Sequence, residues 1–109
     1  MIDIELMQAI LDSMKDPVVY VDCDHIVRYM NKPAVANYAK WGNIIGKSIF
    51  DCHNACSQEV IREVYSAFEQ GEDERMISDN EKHRVYMRAV RDDNGKLIGY
   101  YERYEPPVK

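Results

Sequence analysis

The segment from Val85 to Tyr101 constrains the fold more than any other part of the chain. Two runs rich in β-branched and aromatic residues, Val85-Tyr86-Met87-Arg88-Ala89-Val90-Arg91 and Leu97-Ile98-Gly99-Tyr100-Tyr101, flank an Asn94-Gly95 pair. That pair can supply the positive-φ residues of a two-residue hairpin turn, so the pattern predicts two antiparallel strands. A hairpin alone buries too little apolar surface to stand in water, and its inner face needs a second layer. The upstream chain is read as that layer.

At 109 residues the chain predicts one domain that buries about 60–65% of its unfolded surface around one core. Fourteen basic and nineteen acidic side chains leave a net charge of −5, the wrong balance for a phosphate-backbone partner, so no nucleic-acid partner is expected. No run approaches the roughly 18–20 apolar residues of a membrane span, and the N-terminus lacks a basic-then-apolar signal. A cytoplasmic location is expected. Three cysteines, an odd count, read as reduced thiols rather than a disulfide framework.

Ile2, Leu6, Ile10, Leu11 and Met14 recur at helical steps, with Asp3 and Glu5 at the positive end. They predict an amphipathic helix over residues 1–15, ended by Asp16-Pro17. Val18 to Val21 and Ile26 to Met30 predict two strands around a polar Asp22-Cys23-Asp24-His25 turn. Asn31 predicts the cap of a short helix with Pro33 in its first turn and Ala34, Val35, Tyr38 and Trp41 facing inward, stopped by Gly42. Ser57 is read as the N-cap of a longer helix carrying Val60, Ile61, Val64, Tyr65, Ala67 and Phe68 up to Gly71. A strand around Arg75 to Ser78 and a turn at Asp79-Asn80 precede the closing hairpin. Helix, two strands, a helical middle and three strands make an α+β domain.

This order, with several short motifs, resembles a PAS domain, a bacterial sensory module. The motifs are Ile10-Leu11-Asp12-Ser13-Met14 with Asp16-Pro17-Val18-Val19-Tyr20-Val21-Asp22, Tyr29-Met30-Asn31-Lys32-Pro33-Ala34, Ile45-Gly46-Lys47-Ser48-Ile49-Phe50, and Ala89 to Gly99. The resemblance covers nearly the whole chain. It implies a five-stranded antiparallel sheet of order 2-1-5-4-3, helices over one face enclosing a small pocket, a sensory core over residues 16–105, and a tail or linker start at 106–109. A nearer likeness is to PAS modules of hemerythrin-linked bacterial proteins, whose Cys-His pair and downstream serine correspond to Cys52, His53 and Ser57. This chain differs in having Asn54-Ala55 where prolines are expected, and in adding Cys56.

The cluster Asp51-Cys52-His53-Asn54-Ala55-Cys56 precedes a helix start, a place that favours anions and thiolates. Cys52, His53 and Cys56 are candidate contacts for a ligand, a metal or haem, yet a structural zinc site needs four donors and Cys23 would have to supply the last. The alternative is that His53 bonds near the helix start while the cysteines pack as small apolar groups. Haem-sensing relatives draw their axial histidine from the long helix, and Ser57 to Gln70 has none. Flavin photosensors place a cysteine three residues after the glycine that corresponds to Gly46, where this chain has Ile49. Flavin is therefore not expected, and the cofactor is left open. His25 and His83 are read as solvated and without a role.

Alternation places Val60, Ile61, Val64 and Phe68 of the long helix and Val85, Met87 and Ala89 of the fourth strand around the pocket. Met76 and Met87 can repack around a small ligand. Tyr86, Tyr100, Tyr101 and Tyr104 with Arg84, Arg88, Arg91 and Arg103 are read as cross-strand pairs of an open sheet face rather than a single-strand nucleic-acid platform. Ile2, Leu6, Ile10 and Met14 need cover and are expected to form a homodimer interface. No Gly-x-Ser-x-Gly, His-Glu-x-x-His or phosphate-binding glycine loop is present, so no enzyme is expected. Two functions follow: a sensory module that binds a small molecule and signals through a dimer to an output protein, or a ligand-free interaction module.

Overall fold

The computed structural model describes residues 3–107. In chain order these form α1 (Ile4–Asp12), β1 (Val18–Asp22), β2 (Val27–Met30), α2 (Lys32–Asn37), α3 (Ala55–Glu69), β3 (Glu74–Asp79), β4 (Arg84–Arg91) and β5 (Leu97–Glu105), with two short 3₁₀ turns at Ala39–Trp41 and Ile49–Cys52. All strand pairs are antiparallel. The sheet order is β2-β1-β5-β4-β3, as the resemblance implied.

Alternation along the central strands builds the core. Val19, Val21, Met87 and Tyr100 point to one face, where Ile61, Val64 and Phe68 of α3 meet them, all at most 1% exposed. Burying each such side chain contributes about 1.5–3 kcal/mol, so this face holds the sheet and α3 together. Gly99 of β5 pairs with Asp22 of the neighbouring β1, and a Cβ there would clash with the Tyr20 hydroxyl and the Val21 carbonyl oxygen. Only glycine permits that approach.

Several local expectations are corrected. The closing hairpin is not a two-residue turn: the Gly95 N–H donates to the Asp92 carbonyl and the Asp92 N–H to the Lys96 carbonyl, and Gly95 alone has positive φ, at 83°. The Asp92 carboxylate accepts from the Asn94 and Lys96 N–H groups, which favours this longer, glycine-bulged loop. The second helix is shorter than its apolar spacing suggested. Ala34 and Tyr38 are buried, but the helix ends at Tyr38, leaving Val35 and Trp41 54% and 45% exposed. The cap of α3 is Asn54, whose side chain accepts from the Ser57 N–H, so Ser57 lies inside the first turn. Asn is as good a cap as Ser and comes first in the chain.

Asn31 is the predicted cap of α2 and does more. Its fully buried Oδ1 accepts from Val18 and Ala34, while Nδ2 donates to the carbonyls of Leu11 and Asp16. One amide thus joins α1, the Asp16-Pro17 corner, β1 and α2. Helix α1 carries no buried residue, and Leu6, Ile10 and Met14 are 44–52% exposed. Ile2, the remaining member of the expected interface, lies outside the described residues. Near its end α1 leans on the outer sheet face, where Leu11, Met14, Val18, Tyr20, Tyr29 and Tyr101 line an apolar groove of ≈ 450 Å³. Among the described residues, no helix is long and apolar enough to cross a membrane.

Candidate functional site

The inner face of β5 reads Tyr100, Glu102, Tyr104, and the middle residue is a carboxylic acid. Glu102 pairs with Met87 on one side and Val19 on the other, deep in the sheet, and is 2% exposed. Strand alternation alone puts it there: Tyr101 and Arg103 take the outer face. The Tyr38 hydroxyl lies 3.0 Å from the Tyr104 hydroxyl. The carboxyl oxygen Oε2 is buried with no hydrogen-bond partner among the described residues. An unsatisfied buried polar atom costs about 1–3 kcal/mol, so such an atom in a native fold asks for a reason.

Oε2 belongs to a residue that lines a cavity. Glu102, His53, Ser57, Val60, Ile61, Ile77, Ser78, Val85 and Tyr104 bound a space of ≈ 260 Å³ between β3, β4, β5 and the start of α3. The loop before α3 fixes His53. Its Nδ1 lies 2.8 Å from the Ile49 carbonyl and so carries the proton, leaving Nε2 as the ring's remaining polar atom. Gln58 Nε2 donates to the carbonyls of Phe50 and His53, tying this loop to α3.

Burial governs the protonation of the site. Loss of water holds the Glu102 carboxyl above its ordinary range, partly opposed by His53 and by the Tyr38 hydroxyl. Burial and then the Glu102 charge push the Tyr104 hydroxyl up to about 12, and both act in the same direction on Tyr38. All three oxygens therefore hold protons more tightly than in water. The site can accept and donate hydrogen bonds.

The structure distributes the sequence-predicted pocket residues between wall and core. Val60, Ile61 and Val85 line the cavity, Val60 at the rim with 36% exposure. Val64, Phe68 and Met87 fill the solid core, and Ala89 packs partly buried against it. The Cys52-His53-Cys56 cluster divides. Cys52 is buried with Sγ 3.3 Å from His53 Nδ1, and burial pushes its thiol up to about 11, whereas Cys56 is exposed. Among the described residues, no three His, Cys, Asp or Glu side chains are grouped to hold a metal ion. The cavity is below the ~300–1,000 Å³ of drug-sized ligand sites and is small for a tetrapyrrole.

His25 is not the solvated side chain its turn sequence suggested. It adopts φ 65° while the Asp22 carboxylate accepts from the Asp24 and Ile26 N–H groups. This turn brings the imidazole among the rings of Phe50, Tyr65 and Tyr100, with Nδ1 2.8 Å from the Tyr100 hydroxyl. Burial, then the Arg62 charge, lowers its proton affinity. His83 is half-buried, edge-on to Tyr104 at 5.0 Å. Glu102 was missed in the sequence because a glutamate among arginines and tyrosines looks like surface. The signal that finds it is its parity with Tyr100 in a strand whose other face carries Arg103.

A family model described as "PAS domain" matches residues 7–105. Among solved structures, the C-terminal domain of a Streptococcus mutans protein superposes with a TM-score of 0.78 at 21% identity, covering 96% of this chain and 85% of that one. The PAS domain of a Colwellia psychrerythraea protein gives 0.71 at 15% identity, covering 95% and 97%. A sensory box sensor histidine kinase from Vibrio cholerae gives 0.68 at 13% identity, covering 94% and 89%. No curated protein matches the sequence. With the family model spanning all five strands and the same strand order in the structure, this chain belongs to the PAS domain family.

Proposed function

We propose that the protein is a sensory module in which a small molecule enters the cavity between α3 and the inner face of β3, β4 and β5. The observation that carries this reading is the Glu102 carboxyl: a buried oxygen without a partner among the described residues, on a residue that lines a space large enough for a small ligand. The likeness to a sensory box sensor histidine kinase supports a signalling role of the same kind. Occupancy would be felt by β5, which pairs with both β1 and β4 and so joins the cavity to the rest of the sheet.

The output step of the proposal is a homodimer whose interface includes the exposed apolar residues of α1, coupled to an attached or associated signalling protein. A ligand that binds one dimer arrangement better than another shifts the population by its difference in affinity. Binding, not catalysis, is the role proposed for His53; Cys52 does not line the cavity and, with its thiol held near 11, carries little thiolate near neutral pH.

The test is a thermal-shift and amide-NMR screen of small organic cations, alcohols and acids against the purified protein and Val60→Trp. Val60 lies at the rim, so a tryptophan there covers the cavity without entering the core. A binder should raise Tm by mass action and move the amide signals of α3 and β5, and Val60→Trp should abolish both effects. Binders that perturb neither element, or that bind Val60→Trp unchanged, would contradict the reading.

A further inference from the structure

The wall of the cavity discriminates between ligand charges. Among the described residues it includes no lysine or arginine, so an anionic carboxylate or phosphate would meet the Glu102 carboxyl without a counter-charge. The polar groups on the wall are the Glu102 carboxyl, whose Oε2 has no partner among the described residues, the His53 ring, whose Nδ1 is taken up by the Ile49 carbonyl, and the hydroxyls of Ser57, Ser78 and Tyr104. A buried carboxyl oxygen without a partner calls for a ligand that brings an N–H donor. A charge-assisted N–H to carboxylate bond is roughly twice as strong as a neutral one, and it would supply the pairing that a buried carboxylate requires.

Val60, Ile61, Ile77 and Val85 offer hydrocarbon surface beside these polar groups. At ~30 Å³ for the volume of a water molecule, the ≈ 260 Å³ cavity corresponds to about nine water-sized units, which limits the ligand to a short body. The net charge of −5 favours the approach of cations.

The geometry points to a small primary-ammonium ligand, its N–H donors shared between Glu102 Oε2 and His53 Nε2 and its hydrocarbon body laid against Val60, Ile61, Ile77 and Val85. This assignment rests on the reading that the cavity binds a small molecule, and adds its chemical class. Burial raises the proton affinity of the free carboxyl, and a bound cation that pairs with its charged form would lower it.

The experiment is an amide-NMR titration at neutral pH with three probes of nearly one size, n-butylammonium, n-butanol and butyrate, on the wild-type chain and on Glu102→Gln. The ammonium is expected to bind at least tenfold more tightly than the alcohol, and butyrate more weakly than either. Glu102→Gln should weaken the ammonium at least tenfold while leaving the alcohol within a factor of two. If Glu102→Gln loses the native amide dispersion, His53→Ala carries the same comparison, with at least a threefold loss confined to the ammonium. An alcohol that binds as well as the ammonium, or a Glu102→Gln variant that holds the ammonium undiminished, overturns the assignment and leaves the cavity reading standing. No cavity response to any of the three probes overturns both.

Discussion

Asn31 uses its whole polar capacity in a place where no water can replace a lost partner. Two acceptances and two donations converge on one buried amide, and each donation holds a carbonyl that belongs to the end of α1 or the corner after it. Asn31→Asp keeps the cap of α2 but turns both donations into oxygen facing oxygen. It should lower stability by at least ~2 kcal/mol, read as a lower denaturant midpoint at unchanged slope. The capping half of this role is legible in Asn31-Lys32-Pro33; the bonds to Leu11 and Asp16 are not, since they depend on how the chain returns. Glu102 makes the opposite kind of contribution. Its folded-state proton affinity is raised, so the folded chain binds more protons than the unfolded one at pH values between the ordinary 4.5 and the raised value. Stability should therefore fall as pH climbs through that window, and Glu102→Gln should remove the fall while leaving the rest of the pH–stability curve in place. Equal curves for the two proteins would mean that Glu102 is not the buried acid described.

At the scale of elements, α3 and the loop before it decide where the cavity opens. Asn54 caps the helix through the Ser57 N–H, which places His53 outside the helix and Ser57 within its first turn, both on the cavity wall. Asn54→Ala should cost ~1 kcal/mol in thermal or denaturant unfolding, whereas Ser57→Ala should cost a few tenths at most. The reverse ranking would restore Ser57 as the cap. The elements themselves were readable because their signals are local: apolar spacing for α3, β-branched and aromatic runs for the strands, Asp-Pro for the end of α1. What was not readable was how turns close. Asn94-Gly95 suits two turn types, and the Asp92 carboxylate selects the longer one only once both strands are in register. His25 shows the same limit: a polar turn sequence does not reveal that its ring folds back among Phe50, Tyr65 and Tyr100.

Across the whole molecule, strand order followed from the likeness to a family rather than from residue pattern, since alternation fixes faces but not neighbours. The same sheet leaves two faces with different duties. The inner face carries the core and the cavity; the outer face, with α1 beside it, carries the apolar groove and the exposed Leu6 and Ile10. If that helix forms part of a dimer, Leu6→Glu with Ile10→Glu should shift sedimentation equilibrium at micromolar concentration from dimer to monomer, without changing the amide pattern of the sheet. A wild-type chain that sediments as a monomer at the same concentration would contradict the dimer step of the proposed function while leaving the cavity untouched. The account as a whole rests on the buried carboxyl of Glu102 as the ligand anchor. The most direct measurement is the pH titration of the Glu102 side-chain carboxyl carbon by ¹³C NMR, with and without n-butylammonium. The account predicts a midpoint above 4.5 in the free protein that falls when the ammonium is added; an ordinary midpoint that the ammonium does not move would contradict it.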